Sequence, residues 1–308
     1  MERILVTGGT GLIGSHLVPR LQEAGYRVAI LSRSAGNTRE GVPVFHWDVE
    51  PGKLDERALE YAETIIHLAG ENIAAGRWTS RRKQRIRDSR VKSAELLFRK
   101  IRQAGGAVHR FVSASAVGYY GMRTRAETLT ETTPPGDDFL ATVCRQWEAA
   151  AELFTGLGAR VVVFRIGMVL TPRGGALQRL ALPVRLGLGS PLGRGTQWLP
   201  WIHIDDLVEM FLFALREERL QGAYNAVAPG QVTQAEFMRT LAEVLGKPFF
   251  LPPVPAALVK WAFGEMAGMV LEGSRVAPQK IVEAGFAFRF PELRPALEHL
   301  VGKTSPTA

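Results

Sequence analysis

The chain has 308 residues, of which 46% are hydrophobic and 22% charged, and its formal net charge at pH 7 is +8. This composition is typical of soluble globular proteins and supplies enough apolar residues for one large or two modest domains. The single cysteine, Cys144, excludes an internal disulfide and a metal site built from several cysteines. Arginines are scattered apart from a basic run at 77–87 that lacks interleaved stacking aromatics, so we expect no nucleic-acid partner. No signal peptide or membrane-spanning apolar stretch is visible, so we expect a cytoplasmic protein without a membrane partner.

The first fifteen residues combine a short apolar run with a glycine-rich turn. Residues 4–6 are typical of a strand buried on both faces, and Gly8, Gly11 and Gly14 follow it. Gly8 permits a tight turn, Gly11 lacks the Cβ that would collide with a pyrophosphate, and Gly14 lets the next helix pack closely on the strand. The free N–H groups of that helix would point at the phosphates. We therefore predict a phosphate-binding loop, with an ordinary glycine-rich turn as the alternative.

The next segment completes a βαβ unit and indicates the cofactor. A helical pattern over 16–24 ends at Gly25, and residues 27–31 read as a second buried strand. NAD-binding proteins carry an acidic residue at the end of this strand, whereas this chain has Ser32 and Arg33. Guanidinium suits a 2′-phosphate, so we predict NADP as the cofactor. A surface arginine with no ligand is the alternative.

Strands and helices continue to alternate along the chain. Asp48 ends a third strand at a position from which it could bind an adenine amino group, and Gly70 ends a fourth strand where a missing side chain allows close approach of the cofactor. The further strands are predicted at 42–48, at 64–70, within 110–121 and at 159–165, with 166–170 continuing the last one, and helices at 56–63 and 81–103.

The fifth strand leads into small and hydroxylated residues. Ligands of open α/β sheets bind at the carboxyl ends of the strands, so Ser113, Ser115, Tyr119 and Tyr120 are expected on the cofactor side. Adjacent side chains of an extended loop point in opposite directions, so we expect one of the two phenols to face the cofactor and the other to pack into protein. Packing of both rings against the loops around the substrate is the alternative.

The second half of the chain is expected to complete the sheet and add a smaller lobe. We predict a Rossmann domain over 1–168, to which 200–226 return, a substrate lobe over 169–199 and 227–302, and a disordered tail over 303–308. His203 with Asp205 and Asp206 could suggest a metal, but we expect an aspartate to cap a helix over 207–216 and no metal to bind. Further helices are predicted at 233–245, at 256–271 and after Pro291.

Several motifs together resemble the extended short-chain dehydrogenases/reductases, and more narrowly their atypical "epimerase family" members, which are labelled nucleoside-diphosphate-sugar epimerase-like. Besides the glycine loop, the motifs are LAGENI at 68–73, SASAVGYYG at 113–121, PVRLGLG at 183–189, WIHIDD at 201–206 and NAVAP at 225–229. The resemblance covers about residues 3 to 300. It implies an α/β fold with a Rossmann-type doubly wound parallel sheet and a smaller C-terminal substrate lobe. The cofactor contacts that motif and resemblance imply come from Gly8, Gly9, Thr10, Gly11, Leu12, Ile13, Gly14, Ser32, Arg33, Asp48, Leu68, Ala69, Gly70, Arg85, Arg90 and Val169.

Two positions of the chain differ from the catalytic pattern of the wider superfamily. Its catalytic helix usually carries Tyr-x-x-x-Lys, in which the ammonium lowers the tyrosine pKa so that the phenol can exchange protons at neutral pH. Counting back from Glu148, the tyrosine position holds Leu140 and the lysine position holds Cys144. Neither side chain can replace the tyrosine or the lysine in this proton exchange. Ser115 matches the superfamily's active-site serine.

The sequence therefore favours NADP-dependent redox chemistry on an unidentified small molecule. Ser115 would polarise a carbonyl or hydroxyl oxygen, and Tyr119 or Tyr120 would donate the proton. A catalytically silent NADP-binding sensor or protein-interaction protein is one alternative, and a sugar-nucleotide epimerase is another. The sequence is compatible with an oligomer.

Overall fold

The computed structural model of the protein describes residues 1–34 and 41–302, so the tail predicted over 303–308 lies outside the described residues. The strands are β1 (Arg3–Thr7), β2 (Arg27–Ser32), β3 (Val44–Asp48), β4 (Lys53–Leu54), β5 (Thr64–His67), β6 (Arg110–Ala116), β7 (Thr128–Leu129), β8 (Arg160–Ile166), β9 (Met168–Leu170), β10 (Trp201–His203), β11 (Gly222–Ala226) and β12 (Arg275–Val276). The α-helices are α1 (Gly14–Glu23), α2 (Arg57–Tyr61), α3 (Ser80–Gln103), α4 (Phe139–Glu152), α5 (Gly175–Arg185), α6 (Ile204–Arg216), α7 (Gln234–Val244), α8 (Ala256–Phe263), α9 (Gly268–Leu271), α10 (Gln279–Glu283) and α11 (Leu293–Val301). Among the helices described, none is both long and apolar enough to cross a membrane.

Eight strands form the central sheet, in the order β11-β8-β6-β5-β1-β2-β3-β4. All neighbours pair in parallel except β3 and β4, which pair antiparallel at one edge. The chain moves outward from β1 through β2 to β3, and then from β5 outward in the other direction. This reversal opens a crevice between the carboxyl ends of β1 and β5. The predicted doubly wound parallel sheet is confirmed.

Helices cover both faces of the sheet because the strands are apolar on both sides. Ile4 and Val6 belong to one core with α1 and α6, whereas Leu5 between them belongs to a second core with α2 and α3. This alternation follows from the two-residue period of a strand. It explains why the strand sequences are continuous apolar runs.

A third core lies outside the central sheet. Its buried apolar residues come mainly from α5, α7 and α11, and they include Leu177, Phe237 and Leu297. The edge strand β11, which the sequence analysis did not predict, returns the chain to the sheet beside β8. The boundaries of the Rossmann domain and the substrate lobe stay predictions.

Glycines interrupt two predicted elements. The sixth strand does not continue through 166–170, because the chain leaves the sheet at Gly167 and β9 pairs with β10 instead. A Cβ on Gly167 would lie 2.7 Å from the carbonyl oxygen of Pro200, so only glycine fits this crossing. The helix predicted over 256–271 breaks after Phe263, where Gly264 has a φ of +61°.

The cap of α6 also differs from the prediction. The helix begins at Ile204, and the ring of His203, not an aspartate, accepts the backbone N–H of Asp205 at 3.0 Å. Asp206 instead accepts the backbone N–H groups of Arg289 and Phe290 at 2.8 and 3.0 Å. The aspartate therefore ties α6 to the loop that precedes α11.

Candidate functional site

The glycine loop lies at the crevice between β1 and β5. Gly8 has a φ of +69°, and a Cβ there would lie 2.9 Å from the carbonyl group of Leu68. A Cβ on Gly14 would lie 2.5 Å from the Cα of Gly9, so α1 can begin this close to the turn only with glycine. Gly11 is exposed, and its backbone N–H donates to the carbonyl oxygen of Gly8 at 2.9 Å. The loop therefore has the tight turn and close helix packing that the sequence predicted, while its phosphate contacts stay predictions.

The loop after β5 is attached directly to the end of β1. The hydroxyl oxygen of Thr7 accepts the backbone N–H groups of Leu68 and Ala69, both at 3.1 Å, and the N–H of Leu68 is shared with the backbone carbonyl oxygen of Thr7, also at 3.1 Å. Leu68 and Ala69 are thus held beside the glycine loop, at the position where cofactor contacts were predicted.

Three residues predicted at the adenosine end lie at the carboxyl ends of adjacent strands. Ser32 pairs with His46 across β2 and β3, and its hydroxyl oxygen accepts the backbone N–H of Ser34 at 3.2 Å. Arg33 is exposed beyond the end of β2, and Asp48 is the last residue of β3. The arrangement brings these residues to the same edge of the sheet as the glycine loop. Their roles stay predictions.

Arg90 on α3 fills the space beside Gly70. A Cβ on Gly70 would lie 3.0 Å from the Cζ of Arg90, whose guanidinium donates to the carbonyl oxygens of Ile86 at 2.9 Å and Glu71 at 3.0 Å. Strand β5 ends at His67, so Gly70 lies in the following loop and its missing side chain makes room for this arginine. Arg85 is exposed, 3.6 Å from a carboxylate oxygen of Glu71.

A buried ion pair holds Ser115. Arg165 donates to both carboxylate oxygens of Glu148, at 3.0 and 2.9 Å, and the Ser115 hydroxyl donates to Oε1 of the same carboxylate at 2.7 Å. Ser115 is 3% exposed and Arg165 4% exposed. The single hydrogen of this hydroxyl is therefore committed to Glu148, which counts against the predicted role of Ser115 as a donor to a substrate carbonyl.

The two tyrosines do not point in opposite directions. Residues 117–120 form a short 3₁₀ helix, not an extended loop, and the rings of Tyr119 and Tyr120 touch edge to face with centroids 5.3 Å apart. Tyr120 is buried; its hydroxyl lies 2.7 Å from Oδ1 of Asn225 and accepts from the Arg165 guanidinium at 3.1 Å. Burial raises the pKa of Tyr120. This phenol belongs to the protein interior.

Tyr119 is the more accessible phenol of the pair. It is half-buried, and the Cζ of Arg165 lies 3.4 Å from its ring centroid. Within the described part of the chain no residue forms a hydrogen bond with its hydroxyl. Arg165 thus stacks on one tyrosine and bonds to the other.

The positions of the missing Tyr-Lys pair are filled with apolar contacts. Leu140 and Cys144 are buried on α4, and a Cβ on Gly118 would lie 3.3 Å from the Cβ of Leu140 and 3.7 Å from the sulfur of Cys144. Burial, together with the charge of Glu148, raises the pKa of the thiol to about 12. Its burial and its raised pKa both count against a nucleophilic role for Cys144.

Val169 and His203 lie on the two strands of the small sheet, β9 and β10. Val169 in β9 pairs with Ile202 in β10, one residue before His203. His203, Asp205 and His299 bring potential metal ligands within 4.8 Å of one another. However, Nδ1 of His203 accepts a backbone N–H, so its proton is on Nε2, which donates to His299 at 3.1 Å. Both ring nitrogens of His203 are therefore engaged, and the absence of a metal stays a prediction.

Two buried polar side chains, Arg165 and His67, were not predicted from the sequence. His67 is the last residue of β5 and Arg165 the last but one of β8, and a buried polar group in an apolar run usually has a partner. A polar residue near the end of an apolar strand was the sequence signal that could have identified them. The partners could not be read from the sequence because they come from distant elements.

Comparison with protein families matches residues 4–227 to the NAD-dependent epimerase/dehydratase family. The chain belongs to this family. Residues 254–300 also match a domain of unknown function, DUF1731. The human epimerase family protein SDR39U1 is 40% identical over 303 residues, which cover 97% of this chain and 99% of the human protein. The epimerase family protein YfhF of Bacillus subtilis is 35% identical over 299 residues, which cover 97% of each chain.

Solved structures of family members share the fold. The crystal structure of human SDR39U1 (isoform 2) with NADPH has a TM-score of 0.87 at 37% identity and covers 97% of this chain and 98% of the human one. The UDP-glucose 4-epimerase of Thermus thermophilus in complex with NAD has a TM-score of 0.74 at 27% identity, with 98% and 99% covered. The resemblance to epimerase-family members of the extended short-chain dehydrogenases/reductases is confirmed.

Proposed function

We propose that the protein binds NADP(H) in the crevice between β1 and β5 and transfers hydride between this cofactor and a small molecule. The close fit of Gly8 against Leu68 and of Gly14 against the turn supports a preformed phosphate-binding loop. Arg33 at the end of β2 supports the 2′-phosphate form. The human relative with the same fold was crystallised with NADPH.

Tyr119 is the group that we assign to proton transfer. The assignment rests on the hydrogen bonds of the three hydroxyls. Tyr119 is half-buried and its hydroxyl forms no hydrogen bond with a described residue, whereas the hydroxyls of Ser115 and Tyr120 are bonded to Glu148 and Asn225. NADPH supplies a hydride when bound. In reduction of a carbonyl, the phenol of Tyr119 gives its proton to the oxygen as hydride reaches the carbon, and solvent returns a proton to the phenolate.

Single-turnover oxidation of NADPH against a panel of aldehydes, ketones and quinones tests this function. Tyr119→Phe should lower the rate by about a hundred- to ten-thousandfold, the usual contribution of general acid catalysis, with little change in NADPH affinity. Cys144→Ala is the control, because the buried thiol lies outside the proposed chemistry. Turnover that Tyr119→Phe retains and Cys144→Ala abolishes would require thiol chemistry instead.

A catalytically silent NADP(H)-binding protein is the second candidate. The hydrogen bond that commits Ser115 to Glu148 supports it, together with Leu140 and Cys144 in place of the Tyr-Lys pair. Calorimetry that shows NADPH binding, combined with no oxidation by any compound of the panel, would establish this candidate.

Sugar-nucleotide epimerisation is the third candidate, and it rests on the names of relatives such as the Thermus thermophilus UDP-glucose 4-epimerase. Epimerisation by transient oxidation needs a base poised near neutral pH, which Leu140 and Cys144 cannot supply. We expect little or no conversion of UDP-glucose to UDP-galactose. Turnover of about ten per second, a typical enzyme value, would contradict this expectation.

A further inference from the structure

The imidazole of His67 joins the end of β1 to α3 through a buried chain of hydrogen bonds. Nδ1 of His67 lies 2.9 Å from the Thr7 hydroxyl, and Nε2 lies 3.1 Å from the Ser93 hydroxyl. All three residues have no measurable exposure. The ring packs against Phe111, with centroids 5.7 Å apart and planes inclined by 28°, which restricts its rotation.

The neighbouring bonds determine where the ring carries its proton. The Thr7 oxygen already accepts the N–H groups of Leu68 and Ala69, so its own hydrogen is the one that it shares with Nδ1 of His67. Nδ1 is therefore the acceptor, and the proton is on Nε2. That proton goes to Ser93, whose hydrogen goes to the carbonyl oxygen of Ser89 or Arg90, both at 2.8 Å.

This direction of bonding matters for the loop after β5. Thr7 can receive both backbone N–H groups only while its hydrogen points away from them, toward an acceptor. A ring with its proton on Nδ1 would offer Thr7 a donor and compete with Leu68 and Ala69. Ser93 prevents this by accepting the proton on Nε2, so a residue of α3 controls the hydrogen-bonding state of Thr7 at the glycine loop.

We infer that His67 is a positioning residue for the cofactor: held as the Nε2–H tautomer by Ser93, it orients the Thr7 hydroxyl so that Leu68 and Ala69 stay beside the glycine loop. The inference rests on the proposed binding of NADP(H) in that crevice. His67 would act on the cofactor only through Thr7, whose hydroxyl lies between the imidazole and the loop.

Binding of NADPH to four variants, measured by titration calorimetry, tests the inference. His67→Leu removes the acceptor and should weaken binding about fivefold, the effect of one ordinary hydrogen bond. His67→Asn places a side-chain oxygen near the position of Nδ1 and should restore affinity to within about twofold of the unaltered protein. Ser93→Ala should also weaken binding several-fold, although Ser93 lies a full imidazole ring away from Thr7.

Thr64→Val is the matched control. Thr64 is buried on the same strand as His67, but its hydroxyl donates to Glu2 at the opposite end of the sheet. This variant should lose stability and keep its NADPH affinity. If the role of His67 were purely structural, His67→Leu and Ser93→Ala would likewise lose stability and keep their NADPH affinity.

The outcomes separate the two proposals. Failure of the unaltered protein to bind NADPH would overturn the cofactor proposal itself. If the unaltered protein binds, unchanged affinity in folded His67→Leu and in Ser93→Ala overturns the inference. Should His67→Leu not fold, Ser93→Ala alone decides, since it leaves the imidazole in place.

Discussion

The hydroxyl of Ser115 donates to Oε1 of Glu148 at 2.7 Å, and the Arg165 guanidinium reaches the same oxygen at 3.0 Å. Three elements meet at this carboxylate, because Ser115 lies on β6, Glu148 on α4 and Arg165 on β8. A buried carboxylate is stable only when its charge and its lone pairs have partners. The hydrogen bond from Ser115 therefore helps to stabilise the buried ion pair of Glu148 and Arg165.

Ser115→Ala should consequently lower stability more than it affects cofactor binding. A hydrogen bond to a charged group contributes about 1.5 to 3 kcal/mol, so the free energy of unfolding should fall by about that amount, with NADPH affinity unchanged. Urea denaturation measures the effect. As a control, Thr240→Ala removes an exposed hydroxyl that bonds only to a helix carbonyl and should change stability by less than about 0.5 kcal/mol. Unchanged stability of Ser115→Ala with complete loss of NADPH oxidation would show that the hydroxyl acts on substrate.

The sequence was sufficient for the features that depend on local pattern. Apolar runs, glycine spacing and helical periodicity located β1, β2, the glycine loop and α3, because these depend on residues close together in the chain. The sequence placed Glu148 on a helix, but it did not predict that Glu148 is the hydrogen-bond partner of Ser115. Its contact depends on how β6, α4 and β8 pack, and residues 33 positions apart carry no local signal of that contact.

Two glycines of the loop should respond differently to alanine. A Cβ on Gly11 meets only the Gly8 carbonyl oxygen, at 3.1 Å, whereas a Cβ on Gly14 lies 2.5 Å from backbone. Gly11→Ala should keep nearly the full melting temperature and weaken NADPH binding at least tenfold, since the added methyl occupies the predicted pyrophosphate position. Gly14→Ala should destabilise the fold by about 1 to 3 kcal/mol or more through overpacking. Thermal denaturation and NADPH titration distinguish the two, and equal NADPH affinity of Gly11→Ala and the unaltered protein would place the phosphates elsewhere.

The tyrosine pair shows where local reasoning was wrong. An extended loop would send the two rings to opposite sides, but a 3₁₀ turn that contains Gly118 and ends before Gly121 brings them edge to face beside Arg165. The turn forms because Tyr120 gains buried partners in Thr130 and Asn225, which are distant in the chain. Tertiary contacts thus set this local conformation.

Stability should fall with acid over a range to which His67 contributes, as does His203, whose pKa burial also lowers to about 4. Burial lowers the pKa of His67 from 6.5 to about 4, so between these values the unfolded chain binds a proton that the folded chain excludes. The contribution of the neutral ring is fully present above about pH 6.5 and is lost as the pH falls toward 4, by up to about 3 kcal/mol. Urea denaturation at a series of pH values should show a shallower decline over this range for His67→Asn than for the unaltered protein. Parallel declines would mean that other groups cause the acid sensitivity.

Cofactor choice is decided by titrating the unaltered protein and Arg33→Ala with NADPH and with NADH. A charge-assisted hydrogen bond contributes about 1.5 to 3 kcal/mol, so Arg33→Ala should bind NADPH about ten- to a hundredfold more weakly and NADH nearly as before. We expect the unaltered protein to prefer NADPH. Equal affinity of the unaltered protein for NADPH and NADH would contradict it.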